Sequence, residues 1–329
     1  MTKEKLIRNA IRLGIRAFLA ATVFATGTAP AQTYPSKPVR MIVPNAAGGP
    51  SDLVGRLLAQ KFTELWGQAI IVENRVGASG NIGVDAVVKA APDGYTLLVT
   101  NSAPIVVNQS LYDNVPYDPV KDLAAISLLA SAPQLLVVPS SFAANSVADL
   151  IRIAKAEPGR LTFASLGSGT APHLSGEMFK AQASIDLLHI PYRSLPQAHA
   201  ALIVGEVSVL FDVAALTQVQ AGKMKALAVT GKTRSGLAPH LPTMAESGLP
   251  DFEMIAWYGL LAPTAISGEI KAHLHATTVR VLGQPDIKTK LSGIGFEVIG
   301  NTPDEFSAHI RSESARWANL IKTAGIRAN

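Results

Sequence analysis

Past residue 36 the chain alternates between two patterns. Short β-branched apolar runs give way to longer stretches in which apolar residues return every three or four positions. "VRMIVP" and "AIIVEN" read as strands, and "DLVGRLLAQKFTELWG" between them as a helix closed by Gly67. "GNIGVDAVVKAAPDG" reads as a helix with a Pro/Gly stop, "YTLLVT" as a strand and "PIVVNQSLY" as a short helix. The middle of the chain repeats this grammar, with "LLVVP", "LTFAS", "LLHIPY", "VSVLFD" and "MKALAVTG" as strands separated by helices. After Trp257 come one more strand, "YGLLAP", and three helical stretches. These start near Ser267, after Pro285, and at Thr302, where Thr302 and Glu305 have the spacing of a capping box. Such alternation predicts an α/β protein with helices packed on largely parallel sheets. There is no low-complexity linker and no repeat of fixed period.

Charge sharpens this picture. The 329 residues carry a formal net charge of +5, with 48% hydrophobic and 16% charged side chains, the balance of a globular chain. Five of the 29 basic residues (Lys3, Lys5, Arg8, Arg12, Arg16), but only Glu4 among the 24 acidic ones, fall in residues 1–31. They precede the apolar run "AFLAATVFATG" and an A-x-A site at Ala29-Pro30-Ala31, the layout of an export signal cleaved after Ala31. The run is shorter than the roughly 20 residues needed to span a membrane. Without this segment the net charge is +1, so no phosphate-neutralising surface remains and nucleic acid is not an expected partner. The chain has no cysteine, which excludes disulfides, a catalytic thiol and Cys-ligated zinc, and suits a bacterial periplasm. Leu123 to Ala148 carries no charge at all, yet Pro133, Pro139 and several polar residues interrupt it. Two strands with a break fit it better than a membrane helix.

Three loops share one character. "VPNAAGGPSD" (43–52), "TNSAP" (100–104) and "SLGSGTAPH" (165–173) are small and rich in Gly, Ser or Thr, and each joins a strand end to a helix start. In α/β sheets ligands bind at that edge. The first turn of a helix leaves N–H groups unpaired beside a partial positive charge, so such loops can hold a carboxylate without Lys or Arg. Rival chemistry fails on detail. "GSGTAPH" lacks the third glycine of a dinucleotide fingerprint, and there is no P-loop, G-x-S-x-G elbow or H-E-x-x-H. His273 and His275 stand two apart and point different ways on a helix; His173 is expected to brace the third loop. No catalytic constellation, metal site or cofactor is expected.

In order along the chain, "YPSKPVRMIVPNAAGGPSD", "VENRVGASGNIGVDAVVKAAPDGYTLLVTNS", "GSGTAPHLSGEMFK", "IPYRSLPQAHAALIVGEVSVLFD" and "GKMKALAVTGKTRS" resemble the Bug family. These are the TctC-like extracytoplasmic solute receptors of tripartite tricarboxylate transporters. The resemblance covers essentially the whole mature chain. It implies a type II periplasmic-binding-protein fold: two α/β domains joined by two crossover strands, with a ligand cleft between them. It also implies a small carboxylate ligand (a di- or tricarboxylate, an acidic amino acid or an aromatic carboxylate), membrane permease subunits as partners, and a monomeric, non-enzymatic receptor.

Mapped onto this chain, residues 32–130 and 255–329 would form the first domain and 131–254 the second, with "LLASAP" and "MIAWYG" as crossovers. Asn45, Ala46, Ala47, Gly48 and Gly49, with Asn101 and Ser102, would line one cleft wall. Ser168, Gly169, Thr170, Tyr192 and Asp212 would line the other. Asn45 stands where the family usually has an aromatic residue, and Ser194 where it usually has glycine, which implies a more polar pocket if both face the cleft. Asp52 is expected to brace the first helix, since facing the ligand it would repel a carboxylate. Asp212 either orients the cleft or binds a ligand amine, and Tyr192 packs at the cleft edge.

A sensor subunit presenting its ligand to a membrane histidine kinase would use the same fold, and neighbouring permease or kinase genes separate the two. A periplasmic hydrolase would need a nucleophile–base pair that the sequence does not display. The export signal carries a direct test. N-terminal sequencing of protein from the periplasm is expected to read from Gln32, and retention of Met1 would contradict the cleavage.

Overall fold

The computed structural model describes residues 34–324. The expected export signal, with its cleavage point, lies outside the described residues. The first sheet begins with β1 (Val39–Val43), which pairs in parallel with β2 (Ile70–Asn74) on one side and β3 (Thr96–Asn101) on the other. Helix α1 (Pro50–Trp66) crosses between β1 and β2, and α2 (Asn81–Val88) between β2 and β3. On α1 the buried positions Val54, Gly55, Leu58, Ala59 and Phe62 make the apolar stripe that packs it onto the sheet. After two short helices, α3 (Asn108–Leu111) and α4 (Pro119–Asp122), strand β4 (Leu123–Pro133) runs directly into β5 (Leu135–Pro139). The uncharged stretch is therefore two strands broken at Gln134.

The second sheet holds β5, β6 (Thr162–Ser165), β7 (Leu188–Pro191), β8 (Val209–Asp212) and β9 (Met224–Val229), in the order β7-β6-β8-β5-β9. Its helices are α5 (Val147–Ala156), α6 (Ala171–Ala183), α7 (Leu195–Ile203) and the short α8 (Leu216–Gln220). The chain then returns along β10 (Ile255–Pro263) and closes with α9 (Gly268–Leu282), α10 (Pro285–Gly293), the two-residue β11 (Glu297–Val298) and α11 (Pro303–Ala324). The first sheet accordingly reads β11-β4-β10-β3-β1-β2.

The sheets are mixed, not largely parallel. The chain leaves the first lobe on β4 and comes back on β10, so these two strands lie antiparallel from Ile255↔Pro133 to Pro263↔Leu123. Segments 128–133 and 254–259 face each other in that ladder. Thr230 clasps both passages: its hydroxyl accepts from the Gln134 N–H at 2.7 Å and donates to the Met254 carbonyl. The capping box forms as expected, with the Glu305 carboxylate accepting from the Thr302 N–H at 2.8 Å. Among the described residues no helix is long and apolar enough to cross a membrane.

Packing around β10 is tight enough to test. Trp257 meets Phe306 of α11 edge-on with ring centroids 5.6 Å apart, and a Cβ on Gly259 would fall 2.2 Å from the Phe306 ring. Gly259→Ala is expected to destabilise the protein by about 1–3 kcal/mol through overpacking, read as a lower midpoint in urea. An unchanged midpoint would show that Phe306 gives way freely.

Candidate ligand-binding site

A cleft of about 310 Å³ lies between the two sheets, where strand ends meet helix starts. Three helices of ordinary length, α1, α6 and α7, begin at its wall, and each has proline in its first turn: Pro50, Pro172 and Pro196. Proline suits that position because its missing N–H would be unpaired anyway. The other first-turn amides, of Ser51 and Asp52, Ala171 and His173, and Leu195 and Gln197, meet no acceptor among the described residues. The first intrahelical bonds come only at Leu53, Leu174 and Ala198. None of these helices has a side-chain N-cap. Among the described residues two charged side chains line the cleft, Arg193 and Asp212.

Most of the residues expected at the site come together here. Asn45, Ala46, Ala47, Gly49, Asn101, Ser102, Thr170 and Asp212 all line the cleft, and so does Ser194. Asn101 turns its side-chain oxygen onto the Ala103 N–H at 3.1 Å, and its amide approaches the Asn45 side-chain oxygen at 3.4 Å. Gly48, Ser168, Gly169 and Tyr192 are not on that wall. Gly48 takes φ +78° and donates its N–H to Asp52 Oδ2 at 2.9 Å, whereas Gly49 has an ordinary φ of −79°. It is therefore Gly48 that needs glycine's conformational freedom. At Gly49 a Cβ would come 3.2 Å from the Ala46 carbonyl. Tyr192 sits with Gln197, Val204 and Glu206 around a separate, more open hollow.

The loop at 167–170 reaches across to the other lobe. The Ser168 carbonyl accepts from Ser79 Oγ at 2.6 Å and from the Tyr112 hydroxyl at 3.1 Å, and Gly169 packs beside Leu111 and Asn108. Ser79 itself sits at φ +51°, a left-handed conformation that is costly for a residue with a Cβ.

Behind the walls, buried polar groups hold the loops in shape. Asp52 is 2% exposed and accepts from the Gly48 N–H, Arg56 Nε and Asn74 Nδ2, each at 2.9 Å. Burial pushes its carboxyl up, but those hydrogen bonds outweigh it and hold the group below the usual carboxylate range. On the other wall His173 Nδ1 accepts from the Gly169 N–H at 3.1 Å, and His173 leans on His189 with ring centroids 4.5 Å apart. Ser165 Oγ contacts His189 Nε2, so one Ser–His pair does exist. Ser165 is fully buried, lies off the cleft wall and also accepts from the Gly167 N–H at 2.9 Å. The pair shapes the loop.

The residues that sequence reasoning missed come from three places. Val76, Gly77, Ser79 and Gly80 belong to a fourth glycine-bearing loop, and Arg193, Leu195 and Pro196 flank the expected Ser194 at the start of α7 without any glycine. Proline just inside a helix start, shared with Pro50 and Pro172, was the available signal for the latter. Ala256 and Tyr258 lie on β10 and Gln134 at the break between β4 and β5, where nothing local marks them.

The family model for the tripartite tricarboxylate transporter family receptor matches residues 54–326. The chain belongs to this receptor family. The receptor is 33% identical to BugT of Bordetella pertussis over 318 residues, which is 96% of this chain and 98% of BugT. Its fold is similar to that of Rpa4515 of R. palustris, solved with adipate, at a TM-score of 0.86 and 35% identity, covering 89% of this chain and 99% of that one. It is also similar to MatC of Rhodopseudomonas palustris, solved with malate, at a TM-score of 0.83 and 31% identity, covering 88% and 100%. The two-domain α/β fold of such periplasmic binding proteins is therefore the fold of this receptor, and its family consists of solute receptors, not enzymes.

Buried histidines give the site a pH signature. Burial, with Lys180 nearby, pushes His173 down to about 4; burial, with His173 beside it, does the same for His189. Both groups bind protons in the unfolded chain near pH 6.5 but only near 4 in the folded one. Their contribution to stability is therefore complete above 6.5 and shrinks as pH falls toward 4. The melting temperature is expected to drop between pH 6.5 and 4.5, above most carboxylate titration. His189→Phe should reduce that slope, and an unchanged slope would contradict it.

Proposed function

We propose that this receptor captures a small carboxylate in the bacterial periplasm and delivers it to the membrane permease subunits of a tripartite tricarboxylate transporter. The observation that carries the carboxylate reading is the wall of the cleft: three proline-marked helix N-termini with unpaired amides, and a single basic side chain. A ligand anion placed there receives hydrogen bonds and favourable dipoles without the desolvation of a lysine or arginine. Adipate in Rpa4515 and malate in MatC supply the precedent in similar folds. The export signal and the periplasmic relatives support the location.

In this reading Asn45, Ala46, Ala47, Gly49, Asn101, Ser102 and Thr170 contact the ligand or its hydration. Gly48, Ser168 and Gly169 shape the loops that present the amides, and Tyr192 stays at the edge. The described parts of 32–130 and 255–329 form one moving body and 131–254 the other, hinged where β4 and β10 run together. Ligand held between them favours closure, and the bonds from Ser79 and Tyr112 to the Ser168 carbonyl fasten it.

Calorimetric titration tests both parts, with the dicarboxylates adipate and malate as first probes. Arg193→Ala is expected to weaken binding by less than about tenfold; a thousandfold loss would show that an ion pair, not backbone amides, holds the anion. Ser79→Ala combined with Tyr112→Phe removes two hydrogen bonds of about 1 kcal/mol each and should weaken binding roughly ten- to thirtyfold. Unchanged affinity would mean that the contact plays no part in closure.

A further inference from the structure

Beside its helix starts the cleft carries side-chain recognition chemistry. Asp212, at the end of β8, is 4% exposed at its side chain and lines the cleft. Its Oδ2 is paired with His199 Nε2 at 2.7 Å, while Oδ1 meets no donor from the protein and is not among the sealed, unpaired atoms of the interior. It opens onto the cleft. Two more side chains do the same. Tyr258 is 4% exposed, stacks on Phe296 at 5.0 Å and has no hydrogen-bond partner for its hydroxyl. Gln134 is 1% exposed; its Oε1 accepts from the Ser175 hydroxyl, which leaves Nε2 free toward the cleft.

Each of these side chains is almost wholly buried and turns its one unpaired polar atom to the cleft, so each is set for a bond that the protein's own groups do not supply. Asp212 Oδ1 can only accept. Among the described residues no lysine lines the cleft and Arg193 is an exposed side chain, so apart from the His199 contact no cation on the wall offsets the Asp212 carboxylate for the benefit of a second ligand carboxylate. Like charges at close range in a partly desolvated site repel strongly.

We propose that the receptor selects carboxylates that bear an ammonium or hydroxyl group, with the N–H or O–H of that group donated to Asp212 Oδ1 while helix amides hold the carboxylate. Tyr258 and Gln134 Nε2 then serve a further ligand oxygen. This rests on the carboxylate reading above and adds the class of carboxylate to it. An ammonium and a hydroxyl are the two sources of such a donor, and they differ in their need for the charge on Asp212.

The test is calorimetric titration of the mature receptor with three matched sets of acids: propanoate, lactate and alanine; succinate, malate and aspartate; adipate, 2-hydroxyadipate and 2-aminoadipate. Within the set that binds, at least one donor-bearing member is expected to bind ten times more tightly than its plain counterpart. Asp212→Asn, whose fold is checked by its melting curve, should reduce that preference at least tenfold for an ammonium, and much less for a hydroxyl. A plain acid that binds as tightly as both donor-bearing members overturns the proposal, as does a preference that Asp212→Asn leaves unchanged for both donor types. If the variant fails to fold, the comparison within the unaltered receptor decides. Failure of all nine acids to bind would instead overturn the carboxylate reading, and this proposal with it.

Discussion

The arrangement depends on one constraint: a helix cannot satisfy its own first-turn amides. Here three helices of the two lobes, α1, α6 and α7, bring those unpaired N–H groups to a common cleft, with no side-chain cap on any of them. A cap would stabilise each helix by about 1 kcal/mol, and its absence leaves the donors open. Proline in each first turn sets the backbone while removing a donor that the helix does not need. The cleft is in this sense a set of deferred hydrogen bonds.

Open donors are useful only if the backbone around them holds still. That role falls to buried polar groups behind the walls. Asp52 ties the first loop to Arg56 and Asn74, and His173 ties the third loop through the Gly169 amide. These anchors explain why charged and titratable residues sit close to the site without touching the cleft: neither Asp52 nor His173 lines it. The third loop also bridges the lobes, because the Ser168 carbonyl meets Ser79 and Tyr112. Shape, binding and closure thus share a few residues.

Much of this was legible in the chain. Alternating apolar periods gave the α/β elements, and the Thr302–Glu305 spacing located the start of α11. Small-residue loops at strand ends led to Asn45, Gly49, Asn101 and Thr170. What stayed hidden had physical reasons. The sheets turned out mixed because β4 and β10 carry the chain out and back, a long-range pairing that local periodicity does not record. Tyr258 reaches the cleft through that same pairing, and Gln134 from the break that follows β4. Of the wall at α7 only Ser194 was legible, because residues 193–196 have none of the glycine that marks the other loops. Between Gly48 and Gly49, composition could not say which one carries the positive φ.

The central claim is that backbone amides, not a side-chain cation, hold the ligand carboxylate. Amide chemical-shift mapping by NMR during titration with a carboxylate that binds reads those atoms directly. The largest shifts are predicted at the N–H groups of Ser51 and Ala171, which line the cleft, with a modest response at the Arg193 guanidinium. Dominant perturbation of Arg193, with the first-turn amides of α1 and α6 unmoved, would contradict the account.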